Sequence, residues 1–307
     1  MRTLSPHHKT APANAPNEPA IGFVYALSAF GLWGLFPLYL KAVAHIPVWE
    51  VVAHRVVWSV PAGLIILVLV GKMPILRAAL TQPKLLASAA VSATLISINW
   101  GVYVYAVASN QAVDGALGYY INPLVNVLIG ALLLGEQLNR LQAMAIGLAV
   151  IAVTILTIQA GGLPWISLTL ACSFGFYGYF RKTMALGAAE GFTLEVTLLA
   201  IIAAPVVIWL VAGGQGHFLT TNSTDMWLLL AGGPVTAIPL ILYANGARLL
   251  RYTTIGVMQY LAPTMIFLIA VFVFDEPFGI WQLIAFGFIW SALALYTWSL
   301  FRARKNA

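Results

Sequence analysis

Arg55 is the residue of this chain with the sharpest chemical potential. It lies in the run His54-Arg55-Val56-Val57-Trp58-Ser59, inside a long apolar stretch. A guanidinium there needs a carboxylate, a wet cavity or an anionic solute. Glu50, His54 and Asp114 are its candidate partners, and His54 follows Glu50 by four residues, on one helical face. Two readings stand side by side: a structural arginine–carboxylate clamp, or an anion-binding or proton-coupling site. Glu195 opens the seventh apolar run as Glu50 opens the second, which favours a structural or gating role for both.

Polar recognition needs amides and rings as well. Asn122 and Asn126 are one helical turn apart, and Tyr119 joins that face three residues earlier. Such a face is costly in hydrocarbon unless it meets a cavity or another helix. It therefore binds a polar solute or glues helices together. Asn99, Trp100 and Tyr103, with Trp33 and Tyr39, are further candidates for a binding wall. Tyr177, Tyr243, Gln259 and Tyr260 are their counterparts later in the chain. Aromatic residues also anchor helices at membrane interfaces.

Two prolines and two carboxylates read as moving parts. Pro123 and Pro263 stand about a dozen residues into their apolar runs; each removes a backbone hydrogen bond, so each marks a kink or a gating hinge. Glu136 and Glu276 follow in the loops, placed to cap the next helix or to close a gate against a base such as Arg140. No HExxH, GxSxG or GxxxxGK[ST] pattern occurs, and the five histidines are scattered. No catalytic residue, metal or cofactor is expected. Cys172, the one cysteine, sits in an apolar run that favours inert packing.

The elements that position these residues follow from composition. Apolar residues make up 61% of the 307 and charged residues 8%, against about 25% charged in soluble domains. A soluble globule of this size lacks a polar skin to cover it, so hydrocarbon must face most of the surface. The net charge of +6 fits basic loops better than nucleic acid. A bilayer-spanning helix takes about 20 apolar residues. Ten stretches qualify: 21–43, 48–70, 85–107, 112–134, 140–159, 163–184, 193–212, 226–247, 252–274 and 280–301. With the N-terminus inside, thirteen of the fifteen Lys and Arg residues fall on the cytoplasmic side. Lys41 and Arg55 are the two on the outer side. Residues 1–19 read as a disordered cytoplasmic tail, without the features of a cleaved signal peptide, and 302–307 as a basic cytoplasmic tail.

The two halves repeat. Phe30-Gly31-Leu32-Trp33-Gly34-Leu35-Phe36 matches Phe174-Gly175-Phe176-Tyr177-Gly178-Tyr179-Phe180, and Glu50-Val51 matches Glu195-Val196. At a constant offset of 140, Tyr120, Pro123, Glu136 and Gln142 equal Tyr260, Pro263, Glu276 and Gln282. Five helices per unit make the second unit cross in the opposite sense. Residues 20–160 and 161–301 thus read as inverted repeats, a hallmark of secondary transporters with a site at the seam. The glycine pairs Gly31/Gly34 and Gly175/Gly178 read as close-packing positions.

His54-Arg55-Val56-Val57-Trp58-Ser59, Asn99-Trp100, Leu117-Gly118-Tyr119-Tyr120-Ile121-Asn122-Pro123-Leu124-Val125-Asn126 and Leu134-Gly135-Glu136 resemble the RarD group of the EamA family, in the drug/metabolite transporter superfamily. Gln259-Tyr260-Leu261-Ala262-Pro263-Thr264 and Phe288-Ile289-Trp290 are similar too, so the resemblance spans about residues 20–300. It implies an all-α permease of ten helices in a bacterial inner membrane, with two EamA-like units around a central cavity. The implied cargo is a small metabolite or drug, of the chloramphenicol kind by the group's customary label. The residues alone leave three classes open: an alternating-access carrier, a passive channel or facilitator, and a membrane-embedded enzyme or lipid-handling protein. Nucleic acid is not an expected partner; membrane lipid is.

Overall fold

The computed structural model describes residues 19–133, 140–160, 162–219, 222–250 and 258–305. Every regular element among them is helical: α1 (Ala20–Ala42), α2 (Val48–Leu69), α3 (Met73–Ala79), α4 (Pro83–Ala108), α5 (Ala112–Leu133), α6 (Arg140–Ala160), α7 (Trp165–Thr183), α8 (Ala188–Gly213), α9 (Ser223–Leu249), α10 (Leu261–Phe272) and α11 (Ile280–Lys305). The short α3 lies in what the sequence reads as a plain loop. Leu76 and Ala79 bury its inner face beside Leu67, Ala89, Met184 and Leu194.

The exterior is apolar and the interior holds charge. Leu69 and Ile158 are 79% and 76% exposed, whereas Glu50, Arg55 and Glu195 are 1%, 3% and 1% exposed. That inversion of the soluble pattern is stable where the surrounding solvent is lipid. Among the described residues seven helices are long and apolar enough to cross a membrane: α1, α2, α4, α6, α8, α9 and α11. The apolar α10 is shorter, and residues 251–257 lie outside the described set. The other two long helices carry polar residues in their spans: Asp114, Asn122 and Asn126 in α5, Arg181 and Lys182 in α7.

The long helices alternate in direction, so their connections collect at two ends. Gly71 and Gly214 close α2 and α8 at φ +68 and +62, left-handed values that a residue without Cβ adopts at no steric cost. Residues 43–47, 109–111, 162–164, 214–219 and 273–279 mark an upper end. Lys72 and Glu190 pair at the lower end, 2.8 Å apart. The helices α1 and α11 carry both ends of the described chain to that lower end.

Packing joins the halves rather than keeping them apart. The helix α1 lies against α9 and α10, while α7 lies against α4 and α5; α2 packs on α8, α5 on α10 and α6 on α11. Close approach uses glycine at two of the four expected positions. A Cβ on Gly34 would strike Met265, and one on Gly175 would strike Val125, but Gly31 and Gly178 face open space. Cys172 is exposed rather than packed in the core.

The two hinge prolines differ. Pro123 is buried inside a continuous α5. Pro263 is the third residue of α10, with Gln259 and Tyr260 in a turn before it. Its place is therefore at a helix start rather than a dozen residues in. A proline disfavours helix in the residue before it and cannot donate to the turn behind it.

Candidate functional site

Arg55 sits on the third turn of α2, about 10 Å below its upper end. Its guanidinium lies over two rings, 4.7 Å from the Phe36 centroid and 4.8 Å from that of Trp100. Its Nε and Nη2 both donate to Thr236 Oγ1, each at 3.3 Å. The Thr236 hydroxyl donates in turn to the Gly232 carbonyl at 2.8 Å. Gly232 itself leaves room: a Cβ there would come within 3.0 Å of Arg55 Cγ and of the Tyr39 hydroxyl. The arginine–carboxylate clamp is therefore not what the structure shows. Glu50 instead accepts from His217, at 2.6 Å from the backbone N–H and 2.8 Å from ring Nδ1. Asp114, half-buried at the start of α5, makes no ion pair with Arg55 among the described residues. His54 accepts from Trp58 Nε1 at 3.2 Å and packs its ring on Phe218.

Five of the expected wall residues converge on this arginine. Phe36 stacks on Tyr39 and on Tyr103, at 5.5 and 6.1 Å between centroids. Tyr103 meets Tyr119 edge-on at 5.3 Å, and Tyr119 donates to Asn99 Oδ1 at 3.2 Å. With Trp100 these form an aromatic box at the seam, built from α1, α2, α4, α5 and α9. Tyr39 closes it by donating to the Leu228 carbonyl at 3.0 Å.

The amides divide between glue and exposed surface. Asn99 donates to the Leu170 carbonyl and to Ser173 Oγ, both at 3.1 Å. Asn122 donates to the Ala171 carbonyl at 3.1 Å. Both are buried and tie α4 and α5 to α7. Asn126 bonds back to Asn122 Oδ1 and is exposed.

The remaining candidates lie lower. Trp33, Phe30 and Tyr243 form a ring cluster with centroids 5.7 to 5.8 Å apart. Tyr177 donates to Glu195 Oε2 at 3.2 Å, and Ser92 Oγ donates to Glu195 Oε1 at 2.7 Å. Arg181 Nη1 stands 3.6 Å from the same carboxylate. Gln259 and Tyr260 are half-buried beside the α10 break, apart from the arginine box.

The upper end is laced across the halves. Glu276 accepts the backbone N–H groups of Ala112 and Val113, both at 2.9 Å. It caps the start of α5 from the other half of the chain, rather than the helix that follows it. His45 pairs with Asp225 at 2.9 Å. Lys41 donates to Asn110 and lies 5.0 Å over the Phe274 ring. Glu136 lies outside the described residues.

Sequence reasoning overlooked Phe36, Thr236, His217 and Phe218. Thr236 had a signal: it stands within Gly232-Gly233-Pro234-Val235-Thr236-Ala237-Ile238-Pro239, where two glycines and two prolines loosen a helix and admit a neighbour.

Comparison with known proteins places this geometry. Residues 20–158 match the model of the EamA-like transporter family. An uncharacterized transporter of Pseudomonas aeruginosa is 41% identical, over 93% of this chain and 96% of its own. Protein RarD of Streptomyces exfoliatus is 38% identical over 95% and 93%. A chloramphenicol-sensitive protein RarD of Pseudomonas aeruginosa is 32% identical over 93% and 97%. One crystal structure shares the fold at a TM-score of 0.59, with 19% identity over 92% of this chain and 98% of that one. A multi-pass bundle with a charged interior, matched along nearly its whole length by RarD proteins and other named transporters, makes this chain a member of the EamA-like transporter family.

Proposed function

We propose that the protein is a secondary carrier that moves a small organic metabolite or drug across the bacterial inner membrane by alternating access. One observation carries the reading. The contacts that close the upper end over the arginine box are polar, and they join residues of opposite halves: His45 to Asp225, Glu50 to His217, and Glu276 to the start of α5. Loop-borne hydrogen bonds exchange readily with water when the halves rock apart, whereas a packed apolar seal does not. Phe218, set on His54 and Trp58 at 4.9 and 5.6 Å, is the plug beneath them.

Packing supports the duplicated architecture. The pairs α1 with α10 and α7 with α5 correspond under the repeat, as do α1 with α9 and α7 with α4, while α2 on α8 and α6 on α11 lie on its axis. The units are inverted because α1 rises from the lower end and α7 descends from the upper. Ten crossings then put both chain termini on the cytoplasmic side, where the basic residues gather. Residues 20–160 and 161–301 are the rocking units, with Pro123 and Pro263 as hinges.

The test replaces Cys172 with serine, introduces His45→Cys and Asp225→Cys, and bridges them with a short bifunctional thiol reagent in proteoliposomes. Counterflow should stop on bridging and return on cleavage of a reducible bridge. Undiminished counterflow with the bridge in place rules out an upper gate. Gradient-driven flux without trans-stimulation makes the protein a channel.

A further inference from the structure

We propose that the cargo is a small organic anion, and that Arg55 receives its oxyanion group inside the aromatic box. The inference rests on the carrier reading and names the chemical class that the same site takes. A guanidinium carries five N–H donors. Here two of them share one neutral hydroxyl at 3.3 Å, and Nη1 bonds to nothing among the described residues although it is buried. Three carboxylates of the upper end are held elsewhere, Glu50 by His217, Asp225 by His45 and Glu276 by the α5 backbone, and Asp114 makes no ion pair with Arg55 among the described residues.

Among the described residues two further buried hydroxyls, on α2 and α4, stand unused. The Tyr103 hydroxyl is buried without a partner, on the ring that stacks against the Phe36 beneath Arg55. The Ser59 hydroxyl is likewise unpartnered and lies one helical turn beyond Arg55, on the same face of α2. A charge left this way in a membrane interior is expensive, and a lone buried cation is costlier than a neutral residue of the same size. An oxyanion would satisfy Nη1 and accept from the hydroxyls together. Phe36 and Trp100 hold the guanidinium, and the rings of Tyr39, Tyr103 and Tyr119 that frame the box suit a flat apolar body behind that group. A carboxylate or a phosphate has the required chemistry.

Thermal unfolding of the purified full-length protein tests this with four probes of one shape: benzoate, phenyl phosphate, benzamide and benzylamine. Benzoate or phenyl phosphate should raise Tm saturably, and whichever acts alone identifies a carboxylate or a phosphate cargo. Benzamide and benzylamine should not. Arg55→Met should abolish the shift. Arg55→Lys, which keeps charge but loses the fork, should weaken half-saturation at least about tenfold. If the methionine variant does not fold, Arg55→Lys and Tyr103→Phe decide, the latter with about fivefold weakening. No shift with either anion, an equal shift with benzamide, or an anion shift that survives in the variants overturns the proposal. None of these outcomes bears on counterflow, so the carrier reading fails or stands by its own experiment.

Discussion

The helices α2 and α8 correspond in sequence, and each buries a glutamate at the matching position, yet their surroundings are finished differently. Around Glu195 every oxygen has a donor: Ser92 and Tyr177 bond to it, and Arg181 lies at 3.6 Å. In the other half Glu50 is taken by His217. Arg55, five residues on, is left on rings and one hydroxyl, while the corresponding place in α8 is Ala200. A satisfied charge cluster holds helices together. An unsatisfied one costs free energy until something else binds. The pair therefore separates a structural site from a working one by hydrogen-bond satisfaction, where residue type and burial alone would rank them equal.

The largest expected effects test that separation directly. Arg55→Met should lower trans-stimulated flux by about a hundredfold or more, with Tm unchanged or raised, because it removes a poorly satisfied buried cation. Arg181→Met should do the reverse. It strips Glu195 of its cation, at a cost of up to about 3 kcal/mol in a buried pair and less where Arg181 reaches the surface. Yield and Tm should fall, while the flux per folded molecule changes by less than about threefold. Flux assays normalised to monodisperse protein, beside melting curves, measure both. Equal loss of stability in the two variants would erase the distinction.

The next effect concerns the upper seal. Glu276→Gln keeps the shape of the cap on α5 but removes the negative charge and turns one of its two acceptor oxygens into an NH2 group facing a backbone N–H. A charge-assisted hydrogen bond contributes about 1.5–3 kcal/mol against about 1 for a neutral one. The closed upper end should lose about 2 kcal/mol or more relative to the open one, a shift of at least about tenfold in that equilibrium. A single cysteine placed at Ala116 in a Cys172→Ser background should then label several-fold faster with an impermeant reagent. Unchanged labelling would make the cap a static helix end, like the cluster around Glu195.

Much of this was legible in the chain. Apolar runs set out the all-helical, membrane-spanning class before any coordinate. Polar and aromatic residues in those runs pointed to Arg55 and the rings of α1 and α4. Pairing was not legible. Glu50 and Arg55 lie on one helix five residues apart, and nothing in that spacing says that His217, 167 residues away, takes the carboxylate. Thr236 was hidden for the same reason, since its role depends on how α9 crosses α2. The break before Pro263 could not be told from the smooth passage at Pro123, because each proline follows a tyrosine by three residues inside an apolar run.

That difference gives a smaller effect. Pro123→Ala restores a donor in a helix already continuous, and should slow turnover several-fold by stiffening α5 while leaving half-saturation within about twofold. Pro263→Ala acts where the chain has already turned. It allows the helix to extend back through Gln259 and Tyr260, so half-saturation and turnover should change together. Matching effects in the two variants would show hinges that are equivalent in motion despite their different form.

The smallest effect separates the two amides of α5. Asn122 is buried and donates to the Ala171 carbonyl, whereas Asn126 is exposed and, among the described residues, bonds within its own helix. Interhelical polar contacts in membranes contribute about 0.6 kcal/mol on average. Burial should push Asn122→Ala above that value, because Asn126 loses its partner at the same time. Asn126→Ala should cost less than Asn122→Ala, because it removes the donor to Asn122 Oδ1 but no hydrogen bond between helices. If instead Asn126→Ala weakens anion binding while Asn122→Ala does not, the working site extends down α5 from the arginine box towards the lower end. The boundary between holding and binding would then fall between two residues a single turn apart.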